Sequence, residues 1–422
     1  SSELAGNWNW FDKTNRRMMG TNKMLNTGNG DGAEDPRDWL GFYKTIAYAN
    51  ICIDRIPGID DPVFSSGEKK ALVAEARFIR AFVYFIMVRL YGDVPLQMDP
   101  YDITLRPREK MLTVLDVCLK DLDACKDDLP LSYDDPTNRA VRATKGAALA
   151  LMANMNMWSA GFDKANQQKY WTQTAELTKQ LMDLNQYKLL PYTKETFQAI
   201  FKGRSEEGIF ELSLDANYGG KFHSLICQWT LHEPYIRSGL GGYKSEITPI
   251  IKHMDRMYPR GESDKRFDLW FDDPYSTQNA QSAMFLKFSA ITDPNTRDYD
   301  ANFIFFRYAG IILLRAEALA DLGQNSEAIK MLNLVRDRAG AKSYTGGGGK
   351  ALEDAVFFER ERELIGEGHL WYDLIRTGRI TDKNITEDAL TQDQFNKGAW
   401  TWPIADAAVS NNPLITKNQY WI

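Results

Sequence analysis

The sequence predicts a mostly α protein: helix pairs forming a scaffold, interrupted by a loop-rich insertion that contains short strands. Three observations predict it. Apolar residues recur at steps of three and four over most of residues 36–186 and again over 302–380. That periodicity fades between 187 and 301, where Gly, Pro, Asn and aromatic residues crowd in. Within that stretch, short pieces such as Gly208-Ile-Phe-Glu-Leu-Ser-Leu214 alternate as strands do.

The stretch from Ser65 to Leu96 is the predicted spine. Ser65 and Glu68 have capping-box spacing, which marks a helix start. Leu72, Ala76, Ile79, Val83, Ile86 and Leu90 form one apolar stripe, and Phe78, Ala81, Phe82, Phe85 and Val88 a second beside it. From Phe82 to Val88 the run is apolar all round apart from Tyr84, which predicts burial on every side. Gly92 and Pro95 stop the helix.

The other elements follow in order. Residues 1–35 read as a polar N-terminal loop region carrying Trp8, Trp10 and Phe11. A helix from Asp38 places Trp39, Phe42, Tyr43, Ile46, Ala49 and Ile53 at helical spacing, ended by Pro57-Gly58. Helices are predicted over 113–129, 144–158 and 171–184, then over 305–322, 326–338 and 352–377. Residues 381–422 read as an irregular tail with Pro403 and Pro413. The segments 67–91/113–129, 144–158/171–184 and 305–322/326–338 pair as degenerate helix hairpins. The string Ala316-Glu-Ala-Leu-Ala-Asp-Leu-Gly-Gln-Asn-Ser-Glu-Ala-Ile329 is similar to a tetratricopeptide (TPR) turn. Length alone would allow about three domains, but the pattern reads as one domain over 1–422.

Composition narrows the function classes. The net charge of −6 argues against a nucleic-acid footprint. No apolar run reaches the ~18 residues of a membrane span. Cys52, Cys118, Cys125 and Cys227 lack zinc or redox spacing and read as small core residues. The four histidines show no metal spacing, His223 and His232 being nine apart. Asn29-Gly-Asp-Gly-Ala-Glu34 offers oxygen ligands for a structural Ca²⁺ but lacks the EF-hand pattern, so no metal and no cofactor is assigned. Gly346–Gly349 is not a phosphate loop, because Ala351 stands where Ser or Thr would hold the metal.

Four ordered stretches carry a family resemblance. They are Ala74-Glu-Ala-Arg-Phe-Ile-Arg-Ala-Phe-Val-Tyr-Phe to Leu96; Phe306-Arg-Tyr-Ala-Gly-Ile-Ile-Leu-Leu-Arg-Ala-Glu-Ala-Leu319 with Leu332 to Gly340; Glu359-Arg-Glu-Arg-Glu-Leu364 through Trp371 to Arg376; and Trp402-Pro-Ile404 with Asn412-Pro413 and Gln419-Tyr420. Together they resemble the SusD/RagB family of nutrient-binding surface lipoproteins of Bacteroidetes. The sequence departs from the family at Leu370, where Arg is usual before the Trp, and at Gly366, where an aromatic is common. Ser1-Ser2-Glu3 resembles a motif that the family carries after its first helices. The resemblance implies non-catalytic binding of a polysaccharide or oligosaccharide and delivery to a SusC-like TonB-dependent transporter. It also implies an outer-membrane surface location, through an N-terminal lipid anchor that is not part of this chain.

The charged helix residues Glu359, Arg360, Arg362, Glu363 and Asp373 invite a catalytic reading, since glycoside hydrolysis needs two carboxylates. The competing reading has them lock helices together through arginines such as Arg77, Arg80, Arg336 and Arg338, and it is preferred. For a sugar ligand, aromatic rings on loops would cover the apolar faces of the rings while polar side chains bond the hydroxyls. The candidate platforms are Trp8 and Trp10, Tyr218, Trp229, Tyr235, Tyr243 and Trp270. Trp39, Trp158, Trp171 and Trp371 fall in helix patterns and are assigned to the core. A peptide-binding TPR-like adaptor and a helical glycoside hydrolase are the alternatives.

Overall fold

The structure, a computed structural model, describes residues 4–6, 38–60, 62, 64–213, 227, 230–237, 247–249, 251–275, 282–291, 293, 295, 301–386 and 388–422. The helices are α1 (Leu40–Arg55), α2 (Ser66–Tyr91), α3 (Met111–Asp123), α4 (Lys145–Phe162), α5 (Gln167–Asp183), α6 (Lys194–Lys202), α7 (Ile251–Met257) and α8 (Lys265–Trp270). They continue with α9 (Tyr308–Asp321), α10 (Asn325–Arg338), α11 (Lys350–Glu363), α12 (Leu370–Arg376), α13 (Gln392–Asn396) and α14 (Asp406–Asn411). The strands are β1 (Leu4–Gly6), β2 (Gly208–Leu212), β3 (Ile247–Pro249), β4 (Phe271–Asp272), β5 (Met284–Phe285) and β6 (Phe303–Arg307). They form antiparallel pairs β1–β3, β2–β6 and β4–β5. The fold is the mostly helical one that the periodicity predicts.

Two compact units emerge. The first comprises residues 1–13, 132–142 and 166–373, and the second 14–131, 143–165 and 374–422. The loop-rich stretch 187–301 belongs wholly to the first.

In the second unit α2 is the spine. Ser65 Oγ accepts from the Glu68 amide at 3.2 Å, and the Glu68 carboxylate accepts from the Ser65 amide at 2.8 Å, so the expected capping box is formed. Gly92 ends the helix at φ +75°, a left-handed conformation that glycine adopts without strain. Residues Phe82–Val88 are buried apart from half-buried Ile86. Helices α1 and α3 pack on α2, and α4 packs on α3 and α2. Helix α4 is buried along most of its length, from Gly146 to Ala160. Its alanines allow that close approach. Gly161 lies against the Arg376 backbone, where an added Cβ would meet the carbonyl oxygen at 2.6 Å. Arg80 donates to Asn50 Oδ1 at 2.7 Å and pairs with Asp121 at 2.5 Å, tying α2 to α1 and α3. Cys52, expected in the core, is exposed on α1.

In the first unit α9 packs on α5, α10 and α11. Three expectations need correction. Segments 144–158 and 171–184 fall in different units, and α5 takes α9 as its neighbour. The helix expected from Phe305 begins at Tyr308, because Phe303-Ile-Phe-Phe-Arg307 is strand β6; aromatic and β-branched residues in sequence favour the pleated form. The helix expected over 352–377 is broken at 364–369, where Gly366 (φ +79°) and Gly368 (φ +78°) are left-handed. A Cβ on Gly366 would lie 2.8 Å from both Phe285 and Phe288, so those rings occupy the space beside the turn.

Candidate functional site

The residue ranges of the first unit include all seven candidate ligand residues. Its apolar core gathers Tyr192, Phe197, Phe201, Trp270, Phe285 and Phe288 around short pieces of structure. Such pieces bury little backbone pairing of their own. A lattice of buried ions supplies the directional bonds instead.

Glu363 is its centre. Its carboxylate accepts from Arg266 at 2.8 Å, from Arg307 at 2.7 Å, from Arg338 at 2.5 Å and from the Tyr192 hydroxyl at 2.6 Å. Arg307 also bonds Glu207 at 2.8 Å and Glu367 at 2.7 Å. Arg338 reaches Glu207 at 2.8 Å, and Arg336 reaches Glu359 at 2.8 Å. The Lys287 ammonium donates to Glu363 O at 2.9 Å, Ile365 O at 2.9 Å and Glu367 Oε1 at 2.6 Å. All three of its protons are therefore used. It also lies 4.3 Å from the Trp270 ring centroid and 4.7 Å from that of Phe201, within cation–π range.

This explains the break after α11. The carbonyls of Glu363 and Ile365, which a continuing helix would use internally, turn to Lys287 and Arg307. Cations at a helix C-terminus also suit its dipole. Burial by itself raises the Glu363 carboxyl, but the guanidiniums of Arg338, Arg307 and Arg266 outweigh it and hold the group well below the usual carboxylate range. Glu367, likewise buried, is drawn down to about 2 by Arg307 and Lys287. Burial pushes Lys287 down to about 8, against the opposing pull of Glu367.

The locking role expected of the charged helix is what the geometry gives, with the partners rearranged. Arg336 and Arg338 serve α11 as expected, and Arg360 bonds Asp373 at 3.0 Å. Arg77 and Arg80 instead pair with Asp121. Arg266, Lys287 and Glu207 were not singled out from the sequence, nor was the role of Arg307 and Glu367. A signal was present: Met284-Phe-Leu-Lys-Phe288 and Phe303-Ile-Phe-Phe-Arg307 each set one cation in an aromatic run, which only a buried partner makes tolerable.

The candidate platforms divide sharply. Trp270 is corrected: it is fully buried, edge-to-face with Tyr192 at 5.4 Å and with Phe201 at 5.7 Å, and has no face left for a ligand. Tyr235 is half-buried and packs on the same apolar core. Trp8, Trp10, Tyr218, Trp229 and Tyr243 lie outside the described residues, as does the Asn29–Glu34 segment. Strand β1 nevertheless pairs with β3, Gly6 opposite Ile247. Trp8 follows Gly6 by two residues, and Tyr243 precedes Ile247 by four. Among the described residues, no group of His, Cys, Asp or Glu is placed to hold a metal. Trp39 and Trp158 are in the core as assigned, whereas Trp171 and Trp371 are half-buried.

Comparison with known proteins settles the family. The profile described as the SusD family matches residues 277–421, and one described as "Starch-binding associating with outer membrane" matches residues 2–157. A solved SusD homolog from Bacteroides thetaiotaomicron VPI-5482 is 32% identical, with a TM-score of 0.87 covering 100% of this chain and 91% of that one. The chain belongs to the SusD/RagB family. Among curated relatives, SusD-like protein P38 of Formosa agariphila is 26% identical over 433 residues, covering 90% of this chain and 78% of that protein. A structure described as a laminarin binding SusD-like protein shares the fold, with a TM-score of 0.77 at 20% identity over 99% of this chain and 91% of that one. Phe285 and Phe288 fill the space beside Gly366. Among the described residues, no helix is long and apolar enough to cross a membrane.

Proposed function

We propose that this SusD-family chain binds a polysaccharide or oligosaccharide at the cell surface without cleaving it, and passes it to a SusC-like TonB-dependent transporter. An N-terminal lipid would hold it at the outer membrane. The observation that carries the reading is the family match at both ends of the chain, one part of it to a family described as starch-binding and associated with the outer membrane. The laminarin-binding relative supports the ligand class.

The proposed ligand platforms are the aromatics Trp8, Trp10, Tyr218, Trp229, Tyr235 and Tyr243. Strand β1, which precedes Trp8 and Trp10 in the chain, pairs with β3, which follows Tyr243. One ring half-covered by a sugar buries ~50–80 Å², worth roughly 1–2 kcal/mol. Two or three such platforms, less the ordering cost, give affinities of about µM to mM, which suits a ligand that must be released onward. Non-catalytic binding is supported by the state of the conspicuous carboxylates: Glu359 and Glu363 are sealed and paired to arginines.

Affinity electrophoresis of the purified protein against a broad polysaccharide panel tests the binding. Retardation by at least one glycan is expected, with no new reducing ends on long incubation. Release of reducing ends would overturn the non-catalytic reading. No retardation by any glycan, with capture of peptides instead, would overturn the ligand class.

A further inference from the structure

His232 sets both of its ring nitrogens against backbone carbonyl oxygens. Nδ1 lies 2.9 Å from Glu233 O, and Nε2 lies 3.1 Å from Ser282 O. A carbonyl oxygen only accepts, so each nitrogen has to donate. A neutral imidazole carries one N–H and would turn its other lone pair on a carbonyl. The imidazolium carries two and makes both bonds. The proton count therefore follows from where the two acceptors stand, and bonds from a charged donor are the stronger ones.

The two carbonyls belong to different pieces of the first unit. Residues 232–236 form a turn, in which the Tyr235 amide donates to His232 O at 2.9 Å and the Ile236 amide at 3.2 Å. Leu231 and Ile236 are buried and seat this turn on the apolar core, while Tyr235 between them is half-buried. Ser282 leads into β5, and its hydroxyl donates to Asp273 Oδ2 at 3.0 Å, at the end of β4. The imidazole thus ties the turn that carries Tyr235 to the β4–β5 ribbon.

The other ionisable groups here stand apart from the imidazole bonds. Glu233 and Arg237 on the turn, and Asp272 and Asp273 on the ribbon, are exposed, so solvent screens them. Lys287, further along from β5, is sealed against Glu363 O, Ile365 O and Glu367. Strand β3, which packs on β5, is Ile247-Thr-Pro249 and brings no charge. We propose that His232 is a positioning residue: as an imidazolium it staples the Tyr235 turn to the start of β5, and on losing a proton it gives up one of the two bonds. The folded chain holds the protonated form, so the staple is complete in acid and is lost as pH rises. The staple stands on its own geometry, whereas its effect on a ligand at Tyr235 rests on the glycan-binding reading above.

Hydrogen exchange of the full chain at about pH 5.5 and 7.5, corrected for intrinsic rates, tests the staple across the range in which histidines titrate. Protection of peptides covering 231–237 and 282–285 should fall severalfold, up to about tenfold, at the higher pH, while peptides of α2 stay level. Lys287 titrates higher, at about 8, and acts in the opposite sense. In His232→Gln, which does not titrate, protection should be equal at the two pH values. A level wild type overturns the proposal, and so does the same fall in His232→Gln. Should the variant fail to fold, proton–nitrogen NMR of the wild type decides: the chain has only four histidines, and at pH 5.5 both ring N–H protons of His232 should be held long enough to observe. Rapid exchange of either one overturns the staple. A polysaccharide retained in the panel screen should also bind severalfold more weakly at pH 7.5 than at 5.5 in wild type and equally in His232→Gln; equal wild-type affinity overturns the positioning of Tyr235. A panel in which nothing binds would overturn the ligand reading, and the exchange result, which needs no ligand, would still decide the staple.

Discussion

The two compact units are held together by different physics. The second relies on apolar interlock: a long spine helix, an alanine-rich helix buried along its length, and the stack of Trp158, Phe162, Phe395 and Trp400. Buried charge is sparse there, Arg80 with Asp121 and Asn50 being the main case. The first unit contains the irregular stretch 187–301, whose strands are two to five residues long. It compensates with the lattice around Glu363, Arg307 and Lys287. Periodic helices align themselves by repetition of shape. Short irregular pieces need bonds that specify angle and partner, and buried charge-assisted hydrogen bonds provide them. The cost is sensitivity, since a broken buried pair leaves a stranded charge.

Arg307→Met should have the largest effect. It leaves Glu207, Glu363 and Glu367 short of a partner, and such losses cost about 3–5 kcal/mol. Peptides of residues 187–213 and 284–307 should lose hydrogen-exchange protection while those of α2 and α4 keep it. Arg80→Met should cost less, because Arg77 still lies 3.3 Å from Asp121; equal costs would erase the contrast between the units. Gly366→Ala should rank next, at about 2–4 kcal/mol in denaturant unfolding, from a strained left-handed residue plus overpacking on Phe285 and Phe288.

The units should also part in acid. The Glu363 and Glu367 carboxyls lie below their unfolded values, so their stabilisation is complete above the ordinary glutamate range and is lost as pH falls through their lowered values, about 2 for Glu367. Lys287 works in the opposite sense: its folded value of about 8 lies below the unfolded 10.5, so the unfolded chain binds more protons in between. Its linkage therefore raises stability as pH climbs through that window. Circular dichroism and hydrogen exchange across pH should show the first unit loosening first in acid. The smallest effect belongs to Ser65→Ala, which removes the spine's capping box for about 1 kcal/mol in thermal melts and leaves the lattice untouched.

The same contrast decides what could be read from the sequence. The spine, its cap and its Gly92 stop were legible because local chemistry and the three-to-four period agree. The locking role of Glu359 and Glu363 was legible from their spacing, but the partners Arg266 and Lys287 were not, being 97 and 76 residues from Glu363 along the chain. Trp270 misled because it lies in the loop-rich stretch 187–301, and only the tertiary cage of Tyr192, Phe201 and Lys287 makes it core. The break at Gly366 was hidden because the cations that take the carbonyls of Glu363 and Ile365, Lys287 and Arg307, lie in other segments.

The proposal that most needs testing is that the sequence-identified aromatics, Trp10 and Tyr243 among them, bind sugar. The direct measurement is calorimetric titration of the polysaccharide retained in the panel screen into wild type, Trp10→Ala and Tyr243→Ala. Each variant should bind roughly tenfold more weakly, the worth of one stacked ring, with an unchanged melting temperature. Unchanged affinity in both variants would contradict the account.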